Sequence, residues 1–148
     1  MKNTKFSRLF AAFAFVAVLV LTACQQQPSS KSVAVEGTWV NDYEKYVITS
    51  DSFQSYWGKD VGCEMSIDEI EEVSDTAGIL YGILTIGSDW TPKDTYYAVA
   101  YKELTDKSVK LSAAPESFKT MDEVKKAYNK LDAFAVYSDL VKEEEKAK

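Results

Sequence analysis

Five carboxylates fall within eight residues, Asp68, Glu69, Glu71, Glu72 and Asp75, and are the densest set of reactive groups in the chain. Paired carboxylates can serve as general acid and nucleophile in glycoside hydrolysis, and clustered ones can offer hard oxygen ligands to Ca²⁺. Their spacing matches no Ca²⁺ loop, and acids on a short amphipathic stretch ordinarily form a solvated face. The chain has no His. That removes Ser-His-Asp and Cys-His catalysis and the usual zinc, copper and haem ligation. No Gly-rich phosphate loop and no Gly-x-Ser-x-Gly elbow is present. The expectation is a protein that is not an enzyme and carries no cofactor and no metal. Cys63 lies in Val61-Gly62-Cys63-Glu64-Met65-Ser66-Ile67, where Val61, Cys63, Met65 and Ile67 share one strand face. It reads as a small buried hydrophobe, with a reactive thiol or an intermolecular disulfide as the alternatives.

Aromatic residues supply the positive signal. After residue 23 the chain holds nine Tyr, three Trp and three Phe, enough to fill or line a small barrel. Trp39, Phe53, Trp57, Tyr81 and Tyr96 are the candidates to line or plug its interior. A barrel of about eight strands has room only for its own side chains or for one small ligand. Trp90 differs, because Gly87-Ser88-Asp89-Trp90-Thr91-Pro92-Lys93-Asp94 has the composition of a loop. A loop Trp either folds back over the barrel mouth or is presented to a partner.

The elements that must position these residues are mostly strands. Short runs rich in Tyr, Val, Ile and Thr, separated by Gly, Asp, Ser and Lys turns, predict strands at 38–41, 45–50, 52–57, 61–73, 78–86, 95–102, 108–113 and 133–138. Alternation is clean at 96–101, where Tyr96, Ala98 and Ala100 oppose Tyr97, Val99 and Tyr101. Residues 79–86 are apolar on both faces, as in a doubly covered strand. Residues 66–73 also fit a short helix, with Ser66 and Glu69 as a capping box and Ile67, Ile70 and Val73 on one side. A helix is predicted over 120–131, with Thr120 and Glu123 as a capping box. There Val124, Ala127, Tyr128 and Leu131 form the docking stripe, and Lys125, Lys126 and Lys130 face water. Sequential strands joined by tight turns predict a mainly β fold, an antiparallel meander closed into a small, about eight-stranded barrel with one late α-helix.

The N-terminus sets where such a domain is delivered. Lys2, Lys5 and Arg8 precede an uncharged stretch of fifteen residues, Leu9 to Ala23. A spanning helix needs about 20 apolar residues, so this run has the length of a signal h-region. Leu21-Thr22-Ala23-Cys24 resembles a bacterial lipobox, which implies cleavage before Cys24 and acylation of that residue. Residues 1–23 are then a signal peptide and 24–36 an anchor cysteine and flexible tether. The barrel domain follows at 37–138, with a charged C-terminal tail at 139–148. Gln25 after the cysteine resembles the residues that permit outer-membrane sorting in Gram-negative lipoproteins. With Cys24 acylated, Cys63 has no intramolecular partner, and stability must come from an apolar core. Without Lys2, Lys5 and Arg8 the 17 basic residues fall to 14 against 23 acidic ones, a formal −9. Arg8 is the only Arg, so nucleic-acid binding is excluded on charge and on bidentate geometry.

Gly37-Thr38-Trp39 resembles the Gly-x-Trp signature of lipocalin-like barrels, where the Trp plugs one end. Segments such as Glu44-Lys45-Tyr46-Val47-Ile48 and Tyr96-Tyr97-Ala98-Val99 make the chain similar to small envelope lipoproteins of spirochaetes and like bacteria, a group that implies no activity. The function expected is a lipid-anchored, non-catalytic binding module held to the membrane by its acyl chains. It would hold a small apolar ligand inside the barrel, with Trp39, Trp57, Tyr81, Tyr96 and Trp90 as ligand-binding candidates. The alternative is a protein-interaction or inhibitor module that uses the barrel exterior and the Trp90 loop on an envelope or host protein.

Overall fold

The computed structural model describes residues 32–144. The signal segment, Cys24, most of the tether and residues 145–148 lie outside that range. Eight strands follow one another: β1 (Gly37–Val40), β2 (Lys45–Ile48), β3 (Ser52–Trp57), β4 (Asp60–Ser74), β5 (Ala77–Ile86), β6 (Tyr96–Lys102), β7 (Ser108–Ala113) and β8 (Ser138–Lys142). Each pairs antiparallel with its sequence neighbour, and β8 pairs back onto β1 through Trp39↔Lys142 and Val40↔Val141. The result is the closed, mainly β barrel that the alternation predicts. Closure leaves no unpaired sheet edge to recruit another chain.

Period-2 alternation divides the strands into an inner and an outer face. Inside, Trp39, Phe53, Met65, Leu80, Leu84, Val99, Tyr101 and Leu111 are fully buried. A void that admitted water would leave exposed surface on its walls, so the barrel is packed solid across these residues. Outside, the helix α1 (Met121–Ala127) lies against β5 and β6. Val124 and Tyr128 are buried beneath it, and the Tyr81 hydroxyl donates to the Tyr128 carbonyl at 2.7 Å. With the core on one side and α1 on the other, β5 is covered on both faces. Residues 77–82 are all buried, which is why the strand reads as a continuous apolar run. The Thr120–Glu123 capping box is formed. The helix is shorter than the predicted 120–131 span, because Tyr128 leaves helical geometry at φ −123°. Ala127, placed on the predicted docking stripe, is exposed.

Residues 66–73 are strand. The register shifts between Ile67 and Glu69, so Ile67 opposes Gly82 while Ile70 opposes Leu80. A β-bulge at Asp68 thus turns two residues three apart toward the same face, which produces the helix-like spacing. Val73, the third member of that spacing, stands in water.

Three predicted boundaries are corrected. The final strand is 138–142 rather than 133–138: Leu131–Ala133 forms a 3-10 turn and Phe134 tucks against Tyr128 with ring centroids 4.9 Å apart. The charged segment 139–148 therefore begins inside the barrel, with Leu140 buried and β8 closing the sheet. The tether is also shorter than 24–36, because Val33 and Val35 are buried in the core and a turn links Glu36 N–H to the Val33 carbonyl at 3.0 Å.

Candidate functional site

An antiparallel meander places alternate connections at opposite ends of its barrel. Residues 33–36 enter β1 at one end, which also carries the β2–β3, β4–β5 and β6–β7 turns. There the Trp39 indole N–H donates to the Val35 carbonyl at 2.8 Å, and the indole is 1% exposed. Trp39 and the entering chain together close this end. The opposite end carries four connections: 41–44, 58–59, 87–95 and 114–137.

The exposed apolar side chains gather at that far end. Tyr43 (93% exposed), Trp57 (82%), Trp90 (87%), Ile86 and Val136 stand on its loops or strand ends, against Val73 and Val141 elsewhere. Large exposed aromatics carry a hydration cost that a monomer has no reason to concentrate, and such a concentration marks an interaction surface. The Trp90 loop is internally braced. Ser88 N–H donates to the Thr91 carbonyl at 2.9 Å, and Ser88 Oγ accepts from the amides of Trp90 (3.3 Å) and Thr91 (3.2 Å). The indole is held out into solvent rather than folded over the mouth.

Trp57 is positioned differently. β3 turns into β4 through Gly58 and Lys59, with Gly58 at φ +63°, the sign a two-residue hairpin of type II′ demands at its first position. The indole then lies on Gly62, where an added Cβ would overlap Trp57 Cδ1. Between the 41–44 and 58–59 loops is a hollow of about 560 Å³ walled by Tyr43, Glu44, Tyr46, Tyr56 and Trp57, with Ser55 at its inner side. The Glu44 carboxylate accepts from Asn41 Nδ2 at 2.8 Å and from the Tyr46 hydroxyl at 2.9 Å, and also bonds Ser138. Burial raises its pKa, but the three hydrogen bonds outweigh burial and hold the carboxyl below the usual 4.5. None of the three ion pairs among the described residues includes Glu44. A larger hollow, about 670 Å³, lies at the entry end around Thr38, Lys107 and Lys142, and among the described residues its walls hold no aromatic ring.

The five ligand-binding candidates do not share a cavity. Trp39 plugs the entry end, Trp57 and Trp90 stand outside at the far rim, and Tyr81 and Tyr96 face outward. Tyr81 is fixed under α1 by Tyr128, and Tyr96 bridges Phe118 through paired backbone hydrogen bonds of 2.8 and 2.9 Å. An apolar ligand gripped by Trp39, Trp57 and Tyr96 together is therefore not what this barrel can hold. Sequence reading missed Tyr43 and Glu44, whose only signal was an aromatic and an acid in a short inter-strand turn.

Cys63 is half-buried beside Ser55, and burial pushes its thiol up to about 11. The acids of 68–75 do not share one face: Glu69 and Glu71 oppose the outward-facing Tyr81 and Ile79, and Glu72 opposes Gly78 on the other face. Glu69 pairs with Lys125 at 2.6 Å, Glu71 accepts from the Tyr81 hydroxyl at 3.3 Å, and Glu72 and Asp75 are exposed. Among the described residues no group of three or more acidic, Cys or His side chains converges on a metal position. Compared with known proteins, the chain matches no family model, no curated protein and no solved structure.

Proposed function

We propose that this protein is a lipid-anchored, non-catalytic binding module of the bacterial envelope whose working surface is the far rim of the barrel. One observation carries the reading. Exposed aromatics from three separate connections gather at the end opposite the one where the chain enters β1. An acylated Cys24 would join the domain at Val33 on the entry end, which makes the far rim the end remote from the anchor. The packing of the interior around Trp39, Phe53, Met65 and Leu84 favours the rim over the centre of the barrel as the place where a partner is engaged. The formal −9 charge of residues 24–148 adds long-range attraction for cationic partners and speeds their encounter at low salt.

Two measurements test the two halves of this reading. Metabolic palmitate should label the wild type and not Cys24→Ala; label surviving the substitution refutes the anchor. A photo-crosslinking residue at position 90 should give discrete adducts with an envelope or host component in intact cells, whereas one at position 73 or 141 should not. Equal adducts from all three positions refute the rim.

A further inference from the structure

We propose that the mouth of the barrel at the far rim binds a primary ammonium group carried on an unbranched chain. The inference deepens the rim reading and rests on it for its use in the cell, but its chemistry stands on the inner face of the mouth.

That inner face changes character within one step of the far end. Tyr46 opposes Ser55, which opposes Cys63, and Ser138 opposes Leu111 on the same face; all four end residues are half-buried. Two residues deeper along the same strands, Ile48, Phe53, Met65 and Leu140 are buried. The mouth is therefore a shallow cup with polar walls and an apolar floor. The Tyr46 ring stacks on Phe53 with centroids 5.7 Å apart, and its hydroxyl reaches up to Glu44 at 2.9 Å. The hollow between the 41–44 and 58–59 loops opens onto this wall at Tyr46 and Ser55. Barrel mouths are a recurrent place for small-ligand sites.

Tyr97 reaches into the same cup. It lies opposite Gly82 on the inner face, is 6% exposed, and faces Cys63 and Tyr46. Its hydroxyl makes no hydrogen bond to any of the described residues, whereas no fully enclosed side-chain oxygen or nitrogen among them is left without one. The hydroxyl therefore borders the open space of the cup, where it keeps a donor and an acceptor for an occupant.

The cup's chemistry selects among occupants. Burial opposes the Glu44 charge, but bonds from Ser138, Asn41 and Tyr46 hold the carboxylate ionised. No Lys among the described residues pairs with it, and Lys45, next in the chain, is paired with Glu143 at 3.2 Å. One anion thus stands among hydroxyl oxygens that can still accept, which calls for a cation donating in several directions. Glu44 Oε2 already accepts from Asn41 and Oε1 from Tyr46, so the two-point grip of a guanidinium competes with both bonds. A quaternary ammonium brings charge but leaves the Tyr97 hydroxyl buried without a partner. A primary ammonium carries three donors on a compact head, and its methylenes can leave the cup past Tyr43 and Trp57 at the edge of the hollow.

The test is titration calorimetry on the full-length chain in maltoside micelles, which supply no cation, with n-pentylammonium as the probe. It should bind, and 1-pentanol and tetramethylammonium should bind at least about tenfold more weakly. Glu44→Gln should weaken pentylammonium about tenfold. Tyr97→Phe should weaken it about threefold at an unchanged or raised melting temperature, because the hydroxyl removed has no bond to lose. Pentanol binding as tight as pentylammonium, or pentylammonium binding untouched by Tyr97→Phe, overturns the site. A lysine blocked at both backbone ends that matches pentylammonium assigns the group to a partner's side chain, whereas weaker binding assigns it to a free amine. Adducts at position 90 without pentylammonium binding overturn this site and leave the rim reading standing. Pentylammonium binding without those adducts does the reverse.

Discussion

Three tryptophans in three environments show what a single side chain can decide. Trp39 is sealed at the entry end and hydrogen-bonded to Val35, so Trp39→Ala should destabilise the fold by about 3–5 kcal/mol in denaturant unfolding. Trp90 touches little, and Trp90→Ala should stay within about 0.5 kcal/mol of wild type in the same measurement. A large loss for Trp90→Ala would mean that its indole packs rather than waits for a partner. Cys63 supplies the pH dependence. Burial raises its thiol from the ordinary 9.0 to about 11, so the stability it contributes is complete below pH 9 and is lost as pH rises through 11. Iodoacetamide at pH 8 should therefore react with native Cys63 far more slowly than with the urea-unfolded chain; equal rates would place the thiol in solvent. The half-buried placement of Cys63 was legible in the sequence, since its strand face is apolar. The scatter of Trp39, Trp57, Tyr81 and Tyr96 was not. Alternation sorts residues into two faces of each strand, and only closure of the sheet and the placement of α1 decide which face is interior.

At the scale of elements, local chemistry and tertiary demand agree in most of the chain and part company where the backbone does something irregular. The N-cap of α1 follows from Thr120 and Glu123 alone. Thr120→Ala should cost about 1 kcal/mol in thermal unfolding, because the Glu123 amide loses its acceptor, Thr120 Oγ1; no change would show that docking on β5 and β6 carries the helix by itself. The bulge at Asp68 and the displaced β8 escape pattern reading for a physical reason. A bulge adds one unpaired residue and so imitates a helical period. β8 buries only Leu140 and is held by backbone pairing to both β7 and β1, which leaves almost no hydrophobic signature. The β3–β4 hairpin links this scale to the site. Because the Trp57 indole lies on Gly62, Gly62→Ala should push it away and raise the rate at which hydroxyl radicals oxidise Trp57, at nearly unchanged melting temperature. An unchanged rate would show that Trp57 is not held by this contact.

The molecule as a whole has a polarity that no single element carries. Eight strands in sequence order put the entering chain and the Trp39 plug at one end and four connections at the other. The packed interior leaves the ends and the outer wall as the surfaces on which the protein can act. The meander and its closure were legible because successive strands and short turns admit few other arrangements. The placement of Tyr43, Trp57 and Trp90 at one end was not, since residues 43 and 90 come to the same rim only once alternate connections are counted around a closed barrel. Oxidative footprinting by hydroxyl radicals, on the purified protein and on the same protein in intact cells, tests the working-end claim most directly. Tyr43, Trp57 and Trp90 should oxidise readily in the purified protein and be protected in the cell, with Val73 and Val141 unchanged between the two. Equal oxidation of the three rim aromatics in both settings would contradict it.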